Sequence, residues 1–136
     1  HFFPALIKKI HYAKINKKKS ITLWGNGQAM RELLYVDDFA NACVFFMGKK
    51  IKENFINIGS GKEKKIVDYA KFIMKKLEAN LKIKYDLSKP NGMKRKILNL
   101  DIAKKYGWSV KTPLDKAFDL VYQSFLRPLK KIKNKK

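Results

Sequence analysis

Apolar residues recur at helical spacing near the start of the chain. Over residues 4–15, Leu6, Ile10 and Ala13 share one face and Ile7 adjoins it, with Pro4 suited to a first helical turn. The polar run Lys17-Lys18-Lys19-Ser20 then reads as an exposed loop. Ile21-Thr22-Leu23-Trp24 reads as a short strand running into a Gly25-Asn26-Gly27 turn. Leu33 to Val36 reads as a second strand. Asp37 is placed to cap a helix over 38–48 whose apolar face is Phe39, Cys43, Phe46 and Met47. Asn54 to Ile58 alternates as a strand does and leads to Gly59-Ser60-Gly61. A helix over 66–79 aligns Ile66, Ala70, Ile73 and Leu77, and Leu81, Ile83 and Tyr85 alternate with lysines as in a half-buried strand. Ser88-Lys89-Pro90-Asn91-Gly92 is a loop, and Asp101 is placed to cap a short helix that stops at Gly107. Thr112-Pro113-Leu114-Asp115 is the clearest helix start, with a Thr cap, Pro at the first helical position and Asp at the capping-box position. Its apolar face is Leu114, Ala117, Phe118, Val121, Tyr122 and Phe125. Helices thus alternate with short strands in an α/β or α+β arrangement, which fits a cap or substrate domain better than a complete enzyme.

Length and composition narrow the classes. At 136 residues the chain is one domain or part of a larger protein, and 46% hydrophobic residues are enough for a modest core. The longest apolar cluster, Ala42 to Met47, falls far short of the roughly 18 residues a membrane span needs. The first residue is His rather than Met, which is read as a processed or truncated start. A single cysteine, Cys43, excludes a disulfide framework within the chain and fits a reducing compartment. Thirty-two basic residues against 11 acidic ones give a net charge of +21 and raise a nucleic-acid function. Only Arg31, Arg95 and Arg127 are arginines, however, and the lysines are scattered rather than striped along one helix. Solvated lysine-rich faces account for the charge better than base recognition, which leans on arginine.

Candidate chemistry is sparse. Gly59-Ser60-Gly61 lacks both the third spaced glycine of a dinucleotide loop and the Gly-Lys-Ser/Thr ending of a P-loop, so it reads as a turn. Asp37 and Asp38 are adjacent and point apart, which suits a cap better than acid–base work. Cys43 reads as core and His11, on a lysine-rich helix, as surface. Trp24 beside a glycine turn and Arg31 seven residues on form a combination that suits a nucleotide, with an aromatic face for a base and a guanidinium for phosphate; a packed Trp and an ion-paired Arg are the alternative. Lys94-Arg95-Lys96 is either a phosphate contact or a solvated run. No nucleophile–base–orienter set and no metal site emerge.

Taken in order, these segments resemble the C-terminal part of the GDP-L-fucose synthase family, extended short-chain dehydrogenase/reductases of the epimerase/dehydratase type. Pro4-Ala5-Leu6-Ile7-Lys8-Lys9 is similar to the family's P-A-L-[IL]-R-R helix, and Trp24 to Glu32 to its W-G-[ST]-G-x-x-M-R-E. Val36-Asp37-Asp38 is similar to H-V-D-D, with Tyr35 in place of the His, and Ile56 to Gly61 to I-N-V-G-T-G. Ser88 to Lys96 is similar to S-K-P-D-G-T-P-R-K. The pairing of the W-G-x-G-x-x-M-R-E and S-K-P-x-G-x-x-R-K patterns is the specific signal. Single pieces such as V-D-D recur across the superfamily.

The resemblance implies an α/β substrate-binding C-terminal portion over 1–126, with the Rossmann domain absent, followed by a basic tail over 127–136 that is expected to be disordered. It implies conversion of GDP-4-keto-6-deoxy-D-mannose to GDP-L-fucose by C3/C5 epimerisation and NADPH-dependent C4 reduction. On that reading Lys9, Trp24, Arg31, Asn91 and Lys96 bind substrate. His1 serves as the acid near the nicotinamide, both catalytic and cofactor-binding, and NADP is held mainly by the missing N-terminal domain. A cytoplasmic homodimer is implied, with no specific nucleic acid and no membrane as partner. The chain departs from the pattern at Lys9, where Arg is usual, and at Asn91, where Asp is usual. Lys9 keeps charge but loses the bidentate fork. The rival readings are another nucleotide-sugar epimerase or dehydratase, and a basic nucleic-acid-binding module.

Overall fold

The computed structural model describes residues 1–133, with side chains described as far as Arg127. It is a mixed α/β structure of two compact units, one built from His1–Glu32 with Lys62–Ile97, the other from Leu33–Gly61 with Leu98 onward.

In the first unit, α1 (Phe2–Ile15) buries Phe3, Leu6, Ile7, Ile10, His11 and Ala13. This stripe is wide enough that position 11, one turn beyond Ile7, falls on its inner side. His11, expected at the surface, is therefore buried, and loss of hydration lowers its pKa below the ordinary histidine value. The helix packs on α3 (Ile66–Lys76), whose Val67, Tyr69, Ala70 and Ile73 are buried. Ile10 and Ile73 are fully enclosed, and truncating either to Ala is worth about 2–5 kcal/mol. The expected helix over 66–79 ends early, because Leu77 is its C-cap and Glu78 takes a φ of 48°. β1 (Ser20–Trp24) and β4 (Lys82–Asp86) pair in parallel, Ser20 opposite Lys82 and Trp24 opposite Asp86, with Ile21 and Leu23 buried. A second sheet has β2 (Met30–Glu32) at its centre, antiparallel to β3 (Glu63–Lys65) and parallel to β5 (Arg95–Lys96). The strand expected over Leu33 to Val36 is thus displaced: the ladder ends at Glu32, and a helix begins at Val36.

In the second unit, α2 (Val36–Met47) has Tyr35 as its N-cap residue and no side-chain capping bond. Asp37 lies inside the first turn, favoured there by the helix dipole, and does not cap. The expected apolar face is corrected too: Phe39 is 51% exposed, Met47 84% and Cys43 exposed, while Asp38 and Ala42 are buried. The cause is the Asp38 carboxylate, which accepts the N–H groups of Lys111 (3.3 Å) and Thr112 (3.0 Å) and so fixes the rotation of the helix. Ala42, Ala103 and Trp108 form a small core with Leu34, Phe45, Phe46, Ile56, Ile58 and Val110 against it. Residues 54–58 form no strand, since no described strand pairs with them, although Ile56 and Ile58 still turn to that core.

In α4 (Asp101–Lys105) Asp101 is the first helical residue, and Asn99 Oδ1 accepts its N–H at 2.8 Å, the capping work expected of Asp101 itself. Gly107, at φ 86°, ends the helix as expected. The final helix, α5 (Leu114–Lys133), presents the expected face, with Phe118 buried and the Phe118–Tyr122 and Tyr122–Phe125 rings stacked at 5.6 and 6.1 Å. It continues past Arg127, where the basic tail was expected to begin, as far as Lys133, and 134–136 lie outside the described residues. Among the described residues no helix is long and apolar enough to cross a membrane.

Candidate functional site

The two glycine turns meet in the first unit. Gly25, at φ 64°, donates its N–H to Asp86 O at 2.9 Å, and a Cβ there would stand 3.0 Å from Asn91 Cα and closer still to Asn91 Oδ1. Glycine is therefore required twice over, by backbone conformation and by space. The next residue, Asn26, donates its N–H to Asn91 Oδ1 at 2.7 Å across 65 residues of sequence, and its own Oδ1 accepts Gln28 N–H at 3.0 Å. Met30 N–H reaches Lys94 O at 2.8 Å, and Val67 and Ile66 donate to Gly27 O and Ala29 O, each at 3.0 Å. Asp86 Oδ1 accepts both the hydroxyl (2.6 Å) and the N–H (3.1 Å) of Ser88, which shapes the second turn. Between the turns lies a cavity of about 310 Å³ lined by Asn26, Gln28, Ala29, Asn91, Gly92 and Lys94.

Arg31 stands on β2 at this junction. Its Nη1 donates to Met30 O (2.6 Å) and Met93 O (2.7 Å), so the guanidinium leans on the second turn. Its carbonyl accepts the Tyr69 hydroxyl at 3.0 Å. Burial, reinforced by Glu32 and Glu63, pushes the Tyr69 phenol up to about 12, so it stays a donor at neutral pH. Lys96 is the residue opposite Arg31 across β2 and β5. Trp24 precedes the first turn and leaves 69% of its surface exposed. Arg31, Asn91 and Lys96 are therefore brought together by the second turn and the β2–β5 pairing, while Trp24 ends β1 opposite Asp86.

Of the residues assigned to the site from the sequence only Asn91 lines the cavity; Trp24, Arg31 and Lys96 lie outside its lining, and Lys9 and His1 have roles elsewhere on α1. Lys9 donates from Nζ to Thr22 O at 2.6 Å, strapping α1 to β1. His1 is exposed at the N-cap position of α1 and makes no side-chain capping bond. In the Lys94-Arg95-Lys96 run the three roles separate. Lys94 lines the cavity, Lys96 flanks Arg31, and Arg95 grips Glu63 through Nε (2.9 and 3.0 Å) and Nη2 (2.8 Å). Asn26 and Gln28, which also line the cavity, were not singled out as site residues from sequence; their only signal was that they occupy polar positions inside the first motif. Gly59-Ser60-Gly61 leads into β3 rather than directly into a helix, so it builds no helix-start phosphate cradle.

This mixed α/β fold resembles part of known epimerases and reductases. The NAD dependent epimerase/dehydratase family matches residues 1–59. Among individual proteins, the chain is 34% identical over 127 residues to GDP-L-fucose synthase 1 of Arabidopsis thaliana, a match covering 93% of this chain and 39% of that protein. It is 37% identical over 128 residues to GDP-L-colitose synthase of Yersinia pseudotuberculosis, covering 93% and 41%. The solved structure of a GDP-L-fucose synthetase from Naegleria fowleri bound to NADP superposes with a TM-score of 0.81 at 25% identity, covering 96% of this chain and 41% of that one. The resemblance carried by the motifs is thereby shown. The chain spans about two fifths of the length of the curated relatives it matches.

Proposed function

We propose that this chain is the nucleotide-sugar-gripping part of an enzyme like GDP-L-fucose synthase, converting GDP-4-keto-6-deoxy-D-mannose to GDP-L-fucose. The observation that carries the reading is the junction itself: the two most specific motifs, far apart in sequence, are hydrogen-bonded to each other around one cavity that Arg31 adjoins at Gly92. Trp24 offers a face for stacking, Arg31 and Lys96 offer charge to a diphosphate, and the Asn26, Gln28 and Asn91 amides offer polar contacts. Lys9 would have to exchange its bond to Thr22 O for the ligand, or keep the site in shape from α1.

The chemistry asked of the protein is modest. The C4 ketone acidifies the C–H bonds at C3 and C5, so a base on one face and an acid on the other invert each centre. His1 takes the acid role on this reading, since an imidazole titrates near working pH. NADPH, when bound, supplies the hydride that reduces C4, and on this reading it is held mainly by an N-terminal domain, with His1 beside it. The full enzyme is read as a cytoplasmic homodimer. The 37% identity to GDP-L-colitose synthase favours, as a second reading, another GDP-linked deoxy-sugar in the same cradle.

Fluorescence titration with GDP tests this directly. Trp24 is exposed while Trp108 is 6% exposed, so a ligand-induced change belongs to Trp24. A saturable change is expected that disappears in Trp24→Phe and weakens about tenfold or more in Arg31→Lys, which keeps charge but not the fork. No saturable response to GDP, together with salt-resistant binding of an oligonucleotide, would replace this reading with a nucleic-acid module.

A further inference from the structure

The register of the three-stranded sheet sets three cations side by side. Arg31 on β2 lies opposite Lys64 on β3 and opposite Lys96 on β5. Directly opposed residues project from the same face, with strands about 4.8 Å apart. Met30, Glu32, Glu63, Lys65 and Arg95 project from the other face, where two carboxylates balance two cations and Arg95 pairs with Glu63 at 2.8 Å. The Lys64–Arg31–Lys96 face receives no carboxylate from these strands. The guanidinium of Arg31 donates to the Met30 and Met93 carbonyls, which satisfies hydrogens without cancelling charge. Like charges directly opposite each other destabilise a sheet, so a row of three is a liability unless an anion occupies it. The row also adjoins the cavity, because a Cβ on Gly92 would stand 3.5 Å from Arg31 Nη2.

We propose that Lys64 completes, with Arg31 and Lys96, a binding row for a diphosphate, making Lys64 a further substrate-binding residue. Assigning that diphosphate to a nucleotide-sugar rests on the function proposed above, but the anion row stands on the register alone. The test uses inorganic pyrophosphate, titrated calorimetrically into the whole chain at fixed ionic strength. Lys64→Gln is expected to weaken binding about tenfold and Lys64→Arg to restore it, as a charge-assisted contact would. Lys71→Gln, an equal charge loss on the exposed side of α3, is expected to leave binding within about twofold, the scale of a distant, screened charge. Without ligand, Lys64→Gln is expected to raise the melting temperature, since it relieves the repulsion. Equal losses for Lys64→Gln and Lys71→Gln would reduce the effect to net charge and overturn the proposal, as would no loss for Lys64→Gln. The two readings separate by competition. Pyrophosphate that binds the row but is not displaced by GDP defeats the nucleotide-sugar reading and keeps the row. GDP binding that is indifferent to Lys64 does the reverse.

Discussion

Asn91 has one carboxamide and two claims on it. Its Oδ1 already accepts the Asn26 N–H at 2.7 Å, which leaves one lone pair on that oxygen and the amide N–H donors for a nucleotide. The same oxygen excludes a side chain at Gly25, which makes the Asn91–Gly25 approach part of how Trp24 is presented. A carboxylate would serve the clasp as well or better, because an ionised acceptor strengthens the bond. Asn91→Ala is therefore expected to cost about 1 kcal/mol and to speed amide exchange at Asn26, while Asn91→Asp keeps that amide protected. Exchange at Asn26 unchanged in Asn91→Ala would show the clasp to be idle. That the two motifs carry the junction was readable, since Arg31 and Asn91 each bond across it and Lys96 is paired with Arg31. That Asn91 holds the turn was not, because the bond spans 65 residues and no local spacing records it.

Elements with a strong apolar period were readable, and those fixed by a single tertiary contact were not. The inward faces of α1, α3 and α5, and the alternation of β1, follow the sequence pattern closely. β3 and β5 are two or three residues long and mostly charged, so only their pairing to β2 defines them. The register that aligns Lys64 with Arg31 is invisible for the same reason. On α2, apolar residues lie on more than one side, and Asp38 decides which side turns inward. Its two bonds serve the chain entering α5, giving Lys111 and Thr112 N–H an acceptor inside the unit. Asp38→Ala orphans both donors and is expected to cost about 2–3 kcal/mol in urea unfolding. Asp38→Asn, with one acceptor oxygen, should recover only part of it. A loss below about 0.5 kcal/mol, the scale of an ordinary surface substitution, would mean that the helix is oriented by its apolar residues alone.

For the chain as a whole, a net charge of +21 makes the folded state self-repelling, and among the described groups whose titration shifts on folding three show how stability turns with pH. Glu53 accepts the Tyr106 hydroxyl (2.5 Å) and Lys105 Nζ (3.0 Å), and those bonds hold its carboxyl down to about 2, so its contribution is full above the ordinary 4.5 and is lost as pH falls towards 2. His11 is lowered by burial, so its contribution is full above 6.5 and declines as acid charges the unfolded imidazole first. Tyr69 works in the opposite direction. The fold keeps its phenol protonated to about 12 while the unfolded side chain ionises near 10, so its contribution is complete below pH 10 and drains away between 10 and 12. Lysines titrate in that same range, so the alkaline limb of the wild-type curve alone decides nothing. The difference between wild type and Tyr69→Phe does decide it, because both carry the same lysines. At pH 7 the Phe variant is expected to be less stable by about 1 kcal/mol, for the lost bond to Arg31 O. That gap should close and then reverse in favour of the Phe variant between pH 10 and 12, as the wild type alone pays for keeping a phenol neutral. Curves that stay parallel across the interval would mean the hydroxyl at the back of Arg31 is not held as a donor, and the support it gives the cationic row would have to come from elsewhere.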